Sequence, residues 1–544
     1  MSQVITVFPG GEFFSGSTDA FKERALAYFN EFYDYTNKWQ KIIEVLNHNL
    51  CFVDDGAFDL SWKEDIERLS NDKAFHDKVM INHDFSDVHE PLKSFFEDSV
   101  KLTLDRSQTR EPLSTKKYTQ LAAKTDEDKA QEVLLFTNAV QTLFSTIYNL
   151  SSPIFEDFPP HKQALELLSH LKPFEKIPLN KDIINLVDVG AGRGYLSIFL
   201  SDILKIHTTP IEASINHSRQ LLERIEMHAK SHRINIDNFS RMKLCCGFVT
   251  SHSTVPGILS SAVSYEKWAS TLLNMYKDKL GSYSKYLLPN GIKEEPLTPE
   301  IFYGEQNGKP RIIQGELAVE IKDGEYDLSE KEVFLVSIHA CGDLSVVSHE
   351  IALSNQKCRG SITVPCCFQH LSKGNCPLYE VNKRLNHSFF KDDDVRRKDF
   401  LNHALSTYDV TFEKRKEIID GFVPREIVSA FVPPRQSVKK IQKLEGETEV
   451  QRIIRIANMF DLHPTEKEVE ERIAFTYREV WRLEAQQIFR EFFGHAFESF
   501  ILIDRLQHFV ELTEKNGQKF VIGMFDSMAP VSPRAFMQFT LRID

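Results

Sequence analysis

The strongest chemical signal in the chain is a short turn. Asp188 sits near the end of the apolar run IINLVDV, and Gly190, Gly192 and Gly194 follow at two-residue steps. Glycines at such a turn let the backbone bend sharply and let a ligand lie against it with no Cβ in the way. The stretch after them, YLSIFLSDIL, is amphipathic. A helix starting there offers free N–H groups and a partial positive charge, which suit a phosphate or a carboxylate. Glu212 then ends the second strand candidate, HTTPIEAS.

Two cofactor classes use a turn of this kind. A dinucleotide-binding turn calls for a third glycine where Tyr195 stands. The Gly190-Gly192-Gly194 spacing behind Asp188 fits S-adenosyl-L-methionine instead. A carboxylate at Glu212 can accept both ribose hydroxyls, and hydrogen bonds to a charged acceptor are strong and directional. The bland alternative is a non-catalytic α/β domain with a tight strand-to-helix turn.

Methyl transfer from a sulfonium asks for an in-line nucleophile, exclusion of water, and a base where the nucleophile is protonated. Ligands of open α/β sheets bind at the C-terminal ends of the strands, and two later strand ends carry unusual residues. After VFLVSI comes His339-Ala340-Cys341-Gly342-Asp343-Leu344, and after GSIT comes Val364-Pro365-Cys366-Cys367-Phe368-Gln369-His370. His339 suits a base or a substrate-orienting group. Asp343 suits the methionine amine of the cofactor or the N-cap of the next helix, and both readings stand. Pro365-Cys366-Cys367-Phe368 has the outline of the Pro-Pro-aromatic loop of amino-methylating enzymes. His339, Cys341, Cys366, Cys367, His370 and Cys376 also raise a metal reading. Cys-x-x-Cys pairs are missing, and two adjacent cysteines ligate one tetrahedral zinc poorly. No metal is therefore expected, and the thiols read as small packing groups.

These residues need elements to hold them. IINLVDV, HTTPIEAS and MKLCCGFV are strand candidates separated by helical stretches, the pattern of a parallel α/β sheet. The sheet pauses at a polar, turn-rich stretch and resumes at VFLVSIHA and GSITVPCCF. KFVIGMF and AFMQFTLRI close the chain. The expected division is a helical N-terminal region at 1–150, a first half of the core at 151–250, and an insertion at 251–330. Core strands follow at 331–376, a helical insertion at 377–517, and a closing strand hairpin at 518–544. Thr465 and Glu468 form a capping-box pattern at the head of one of the late helices.

With 544 residues the chain is far longer than the ~200 residues of such a core. Apolar residues make up 42% and charged residues 26%, which excludes a disordered chain, a collagen or a coiled-coil rod. The net charge of −12 excludes coating a polyanion by bulk charge, so nucleic-acid binding would need a local basic patch. Lys116, Lys117, Lys414, Arg415 and Lys416, or Arg435, Lys439, Lys440 and Lys443, are candidates for one. The 41 phenylalanines fall largely in helix-patterned stretches and read as core. No signal peptide and no membrane span is expected. The eight cysteines form no spaced disulfide framework, which points to a reducing cytoplasmic or nuclear compartment.

At DVGAGRGYLS, IHACGDLS, PCCFQHLS, ILIDRLQHFVEL and GMFDSMAPVSPR the chain resembles the methyltransferase-like protein 25 family. That family includes proteins labelled ribosomal-RNA adenine dimethylase domain-containing. The blocks occur in the family's order and span most of the chain from about Leu113. The resemblance implies a Rossmann-like class I methyltransferase sheet with helical insertions. It carries cofactor roles onto Asp188, Gly190, Gly192, Gly194 and Glu212, and pocket roles onto His339, Cys341, Gly342 and Asp343, with Cys341 and Gly342 beside the cofactor. The chain departs from the family at Ser114-Thr115-Lys116-Lys117, where Ser-Pro-Lys-Lys is usual, and at Gln369, which separates the aromatic residue from His370. A weaker resemblance is to a group of transfer-RNA 2′-O-methyltransferases. The expectation is an S-adenosyl-L-methionine-dependent methyltransferase acting on RNA or protein. A non-enzymatic scaffold keeping the fold and a small-molecule methyltransferase are the alternatives.

Overall fold

A computed structural model describes residues 2–46, 58–106, 127–151, 160–231, 233–276, 283–288, 304–306, 309–313, 316–317, 321, 324–327, 331–372, 375–378, 401, 404, 411–431, 444–529, 532 and 534–544. The chain divides into two compact units. The first comprises Met1–Leu26, Asp105–Leu385 and Ile501–Asp544, and the second Ala27–Leu104 and Asn386–Phe500.

The first unit is built on a ten-stranded sheet. Its strands are β1 (Gln3–Phe8), β2 (Glu12–Gly16), β3 (Ile184–Val189), β4 (His207–Glu212) and β5 (Lys243–Cys246). They continue with β6 (Val263–Ser264), β7 (Glu332–Cys341), β8 (Cys358–Cys366), β9 (Phe520–Asp526) and β10 (Phe536–Arg542). The spatial order is β2-β1-β9-β10-β8-β7-β3-β4-β5-β6. From β5 to β8 the central strands run parallel, and β10 is antiparallel to both its neighbours. This is the mixed α/β, Rossmann-like arrangement that the sequence implied.

Every residue of β3 is buried, as expected for a strand covered on both faces. Alternate residues serve opposite layers. Leu186, Phe334, Val336, Ile362 and Val521 join one apolar cluster, with helices α2 (Glu127–Ile147) and Lys162–Ser169. Val187, Val189, Leu335 and Cys358 join another, with Val347 and Ile351 of α5 (Leu344–Ser354). α1 (Thr18–Lys38) follows β2 in the chain, and α3 (Tyr195–Ile198) and α4 (Ile215–Lys230) follow the glycine turn, with Ile198, Ile215, Leu221 and Leu222 in a third cluster.

The all-helical expectation for residues 1–150 is corrected at β1 and β2. QVITVF is rich in β-branched residues, which favour a strand, and it pairs in parallel with β9, Val4 opposite Ile522. On its other side it pairs antiparallel with the adjacent β2, whereas β9 lies far along the chain, beyond any local pattern. The same 150 residues are also shared between the two units rather than forming one of their own.

The second unit has an aromatic core. Phe32 stacks on Phe500 with ring centroids 4.6 Å apart, Phe96 stacks on Phe492 at 4.4 Å, and Trp62 meets Phe489 edge-on. Thr465 and Glu468 form the expected capping box. The helix they open stops at Arg478, and a new helix, α6 (Val480–Asn516), follows.

Candidate active site

The turn after β3 is held by its own backbone. The amides of Gly190 and Ala191 both donate to the Ile211 carbonyl of β4, at 3.0 and 2.9 Å. Gly190, Gly192 and Gly194 have φ of 75°, 57° and 74°, the left-handed region that favours glycine. They differ in surroundings. A Cβ at Gly194 would stand 2.0 Å from Leu221 Cδ1 on α4, so this glycine lets helix and turn pack together. A Cβ at Gly192 would meet only the Gly190 carbonyl oxygen, at 3.9 Å, so the middle of the turn opens onto free space. Tyr195, where a dinucleotide-binding turn would have glycine, accepts a hydrogen bond from Arg224 at 2.7 Å.

Glu212 closes the far side of the turn. Its Oε2 accepts from the Gly192 amide and its Oε1 from the Ser214 amide, each at 2.7 Å. His217 Nδ1 lies 3.4 Å from Oε1, and each carboxylate oxygen has a second lone pair beyond its amide bond. Asp188 lies buried beneath the turn and accepts from the Ser197 hydroxyl. Burial pushes its carboxyl up to about 7, against the Ser197 hydrogen bond and with help from the Glu212 charge.

The second group gathers at the ends of β7 and β8. The β7–β8 register slips between Ser337 and Ala340, and within the slip His339 adopts φ 61°. Its Nε2 lies 2.9 Å from Glu132 Oε2 on α2, and the Lys129 ammonium contacts both residues. Burial works against the Glu132 charge, but the hydrogen bond and charge of His339, with Lys129, hold its carboxyl down at about 2. These contacts engage Nε2 and not Nδ1.

Asp343 stands at the N-cap position of α5 but makes no capping bond. Its Oδ1 accepts from the Ser372 amide at 2.9 Å and ties down the segment after β8. Gly342 brings the two strand ends together. Its amide donates to the Cys366 carbonyl at 2.9 Å, and a Cβ there would stand 2.8 Å from the His370 carbonyl oxygen. Arg505 of α6 is buried below, donating to the Ser345 hydroxyl at 2.8 Å and to the Gly342 carbonyl at 3.3 Å. Burial lowers its guanidinium to about 10.

Cys341, Cys366 and Cys367 converge, with all three sulfurs within 4.8 Å of one another. Cys341 and Cys366 are 3.1 Å apart as free thiols. The contacts with Cys341 and Cys366 lower the Cys367 thiol, and the contacts with Cys341 and Cys367, with burial, push Cys366 far up. For Cys341 the contact with Cys366 lowers the thiol, but the contact with Cys367 and burial outweigh it and raise it to about 11. His370 and Cys376 are not in this trio.

The structure thus brings Asp188, the three glycines and Glu212 to one turn, and His339, Cys341, Gly342 and Asp343 to the next strand ends. Ser197, Lys129, Glu132, Arg505 and Ser372 carried no motif of their own. Ser197, Ser372 and Arg505 lay inside blocks that the family resemblance singled out, whereas Lys129 and Glu132 lay in none. Of the basic candidates, Arg415 is buried and paired with Glu491 at 2.5 Å, so it is not free to meet a phosphate. Lys414 pairs with Glu417. Lys116, Lys117, Arg435, Lys439, Lys440 and Lys443 lie outside the described residues.

Residues 161–374 match the family model described as a methyltransferase domain. No curated protein and no solved structure matches the chain. The match runs from the helix before the glycine turn to the segment beyond β8, so that both groups of site residues fall within the matched stretch.

Proposed function

We propose that this chain is an S-adenosyl-L-methionine-dependent methyltransferase acting on RNA or protein, in line with its resemblance to the methyltransferase-like protein 25 family. One observation carries the cofactor reading. Glu212 is fixed by two backbone amides beside a glycine turn that opens onto free space. That is a carboxylate placed for a ribose, next to a turn with room for what the ribose carries. The cofactor, when bound, supplies an electrophilic methyl group on a sulfonium. The chain's own task is then to hold and orient. Glu212 accepts ribose hydroxyls, Asp188 supports the turn from below, and His339, braced by Glu132, accepts the acceptor's proton at Nδ1. The second unit supports a large acceptor, since a small molecule would not call for so much added chain.

Titration calorimetry with S-adenosyl-L-methionine tests the proposal. Binding in the micromolar range is expected, with a loss of at least about 100-fold in Gly192→Arg, whose side chain would occupy the space over the turn. Absence of heat with folded wild-type protein at millimolar ligand would sink it. Transfer of labelled methyl into the RNA or the protein fraction of a cell extract then identifies the acceptor.

A further inference from the structure

We propose that Cys341, Cys366 and Cys367 bind one zinc ion, as three thiolate ligands with the fourth position left to water or an incoming ligand. Adjacent cysteines in a regular strand point to opposite faces. Cys245 and Cys246 of β5 do so, packing into two different apolar clusters. Cys366 and Cys367 do not. β8 ends at Cys366, and Cys367 turns into the left-handed region with φ 51° and ψ 49°. A non-glycine residue held there costs on the order of 1 kcal/mol. The turn sends the second sulfur back beside the first. Cys341, at the end of the neighbouring parallel strand and in register with Cys366, supplies the third.

The distances suit a tetrahedral ion. With Zn–S near 2.3 Å, sulfurs on one zinc sit about 3.8 Å apart. The three here lie within 4.8 Å of one another, two of them at 3.1 Å, so small side-chain rotations reach that spacing. The close pair is still well beyond the ~2.05 Å of a disulfide. All-sulfur ligation selects a soft cation over magnesium or calcium. Gly342 and Arg505 hold the two strand ends in place without offering oxygen ligands from carboxylates. Three protein ligands with one open position are the pattern of a zinc that takes part in chemistry, whereas a purely structural zinc is closed by four. The ion would lie at the strand ends where the acceptor is proposed to arrive. That role rests on the methyltransferase reading, while the binding itself does not.

The full-length chain, expressed with zinc in the medium and purified without chelators, is assayed for metal by mass spectrometry. About one zinc per chain is expected, falling below about 0.2 in Cys341→Ser and in Cys366→Ser. Cys341 is exposed, so its serine variant tests the site without disturbing the core. Cys246→Ser should keep its zinc. Cobalt added to stripped wild-type protein should give a thiolate-to-cobalt charge-transfer band, which needs no variant. Zinc missing from the wild-type chain together with no cobalt band overturns the proposal, as does zinc retained in both site variants. All of this is read without cofactor, so it fails or stands separately from calorimetry with S-adenosyl-L-methionine.

Discussion

Asp188 shows how one residue can carry opposed demands. Its place under the glycine turn buries it with a single hydroxyl partner, Ser197, and with the Glu212 charge nearby. Its carboxyl therefore titrates at about 7 in the folded chain, above the ordinary value of 3.8. Between these values the folded chain holds a proton that the unfolded chain has released. The Asp188 contribution to stability falls as pH rises through that window, by up to about 1.4 kcal/mol per unit. Burial lowers His349 to about 3 and His228 to about 4, and both act in the opposite sense over part of the same range. Urea unfolding of cofactor-free wild type and Asp188→Asn at about pH 5 and about pH 7 isolates the Asp188 share, with wild type expected to lose stability relative to the variant at the higher pH. The same pH dependence in both proteins would move the titration to another group. Glu132 works in the opposite sense, since its carboxyl is held down at about 2. Its contribution is complete above about 4.5 and fades only in stronger acid, outside the Asp188 window. Asp188 and Glu212 could be read from the sequence because their motif is local. Glu132 could not, because its meaning comes from a histidine 207 residues away.

At the scale of elements, the three turn glycines look alike in sequence and differ in structure. Gly192→Ala meets open space and should cost only the left-handed strain, about 1 kcal/mol. Gly194→Ala adds a collision with Leu221 and forces α4 away from the turn, which should bring the cost to about 2–5 kcal/mol. Denaturant midpoints of the two variants will rank them, and equal midpoints would mean that α4 does not seal the turn. The central strands were legible because burial on both faces writes a continuous apolar run, as in INLVDV. β1 was not, because half of its pairing, that with β9, comes from a segment far along the chain. The convergence of the cysteine trio was not legible for a related reason. The rule that neighbouring strand residues diverge holds at Cys245 and Cys246, but at Cys366 and Cys367 the strand has already ended.

At the scale of the molecule, the abundant phenylalanines behave as expected and fill a core, much of it in the second unit. That unit also buries a charge pair. Arg415 donates to Glu491 and, through Nε, to His76 Nε2 at 3.2 Å. Glu491→Ala would strand a buried guanidinium, with an expected loss of about 3–5 kcal/mol, whereas replacing both partners with apolar residues should cost much less. Thermal unfolding of the single and double variants checks this, and additive losses would show that the two charges act independently. The pairing of β1 with β9 has a consequence for how the chain is made. Ser2 hydrogen-bonds to Phe520 across 518 residues of sequence. A ribosome adding ~5–20 residues per second needs roughly half a minute to two minutes to span that interval. Throughout it β1 has emerged with β2 but without β9, and β8, once made, waits for β10. The growing chain therefore carries unpaired strand edges on β1 and β8 until β9 and β10 have been made.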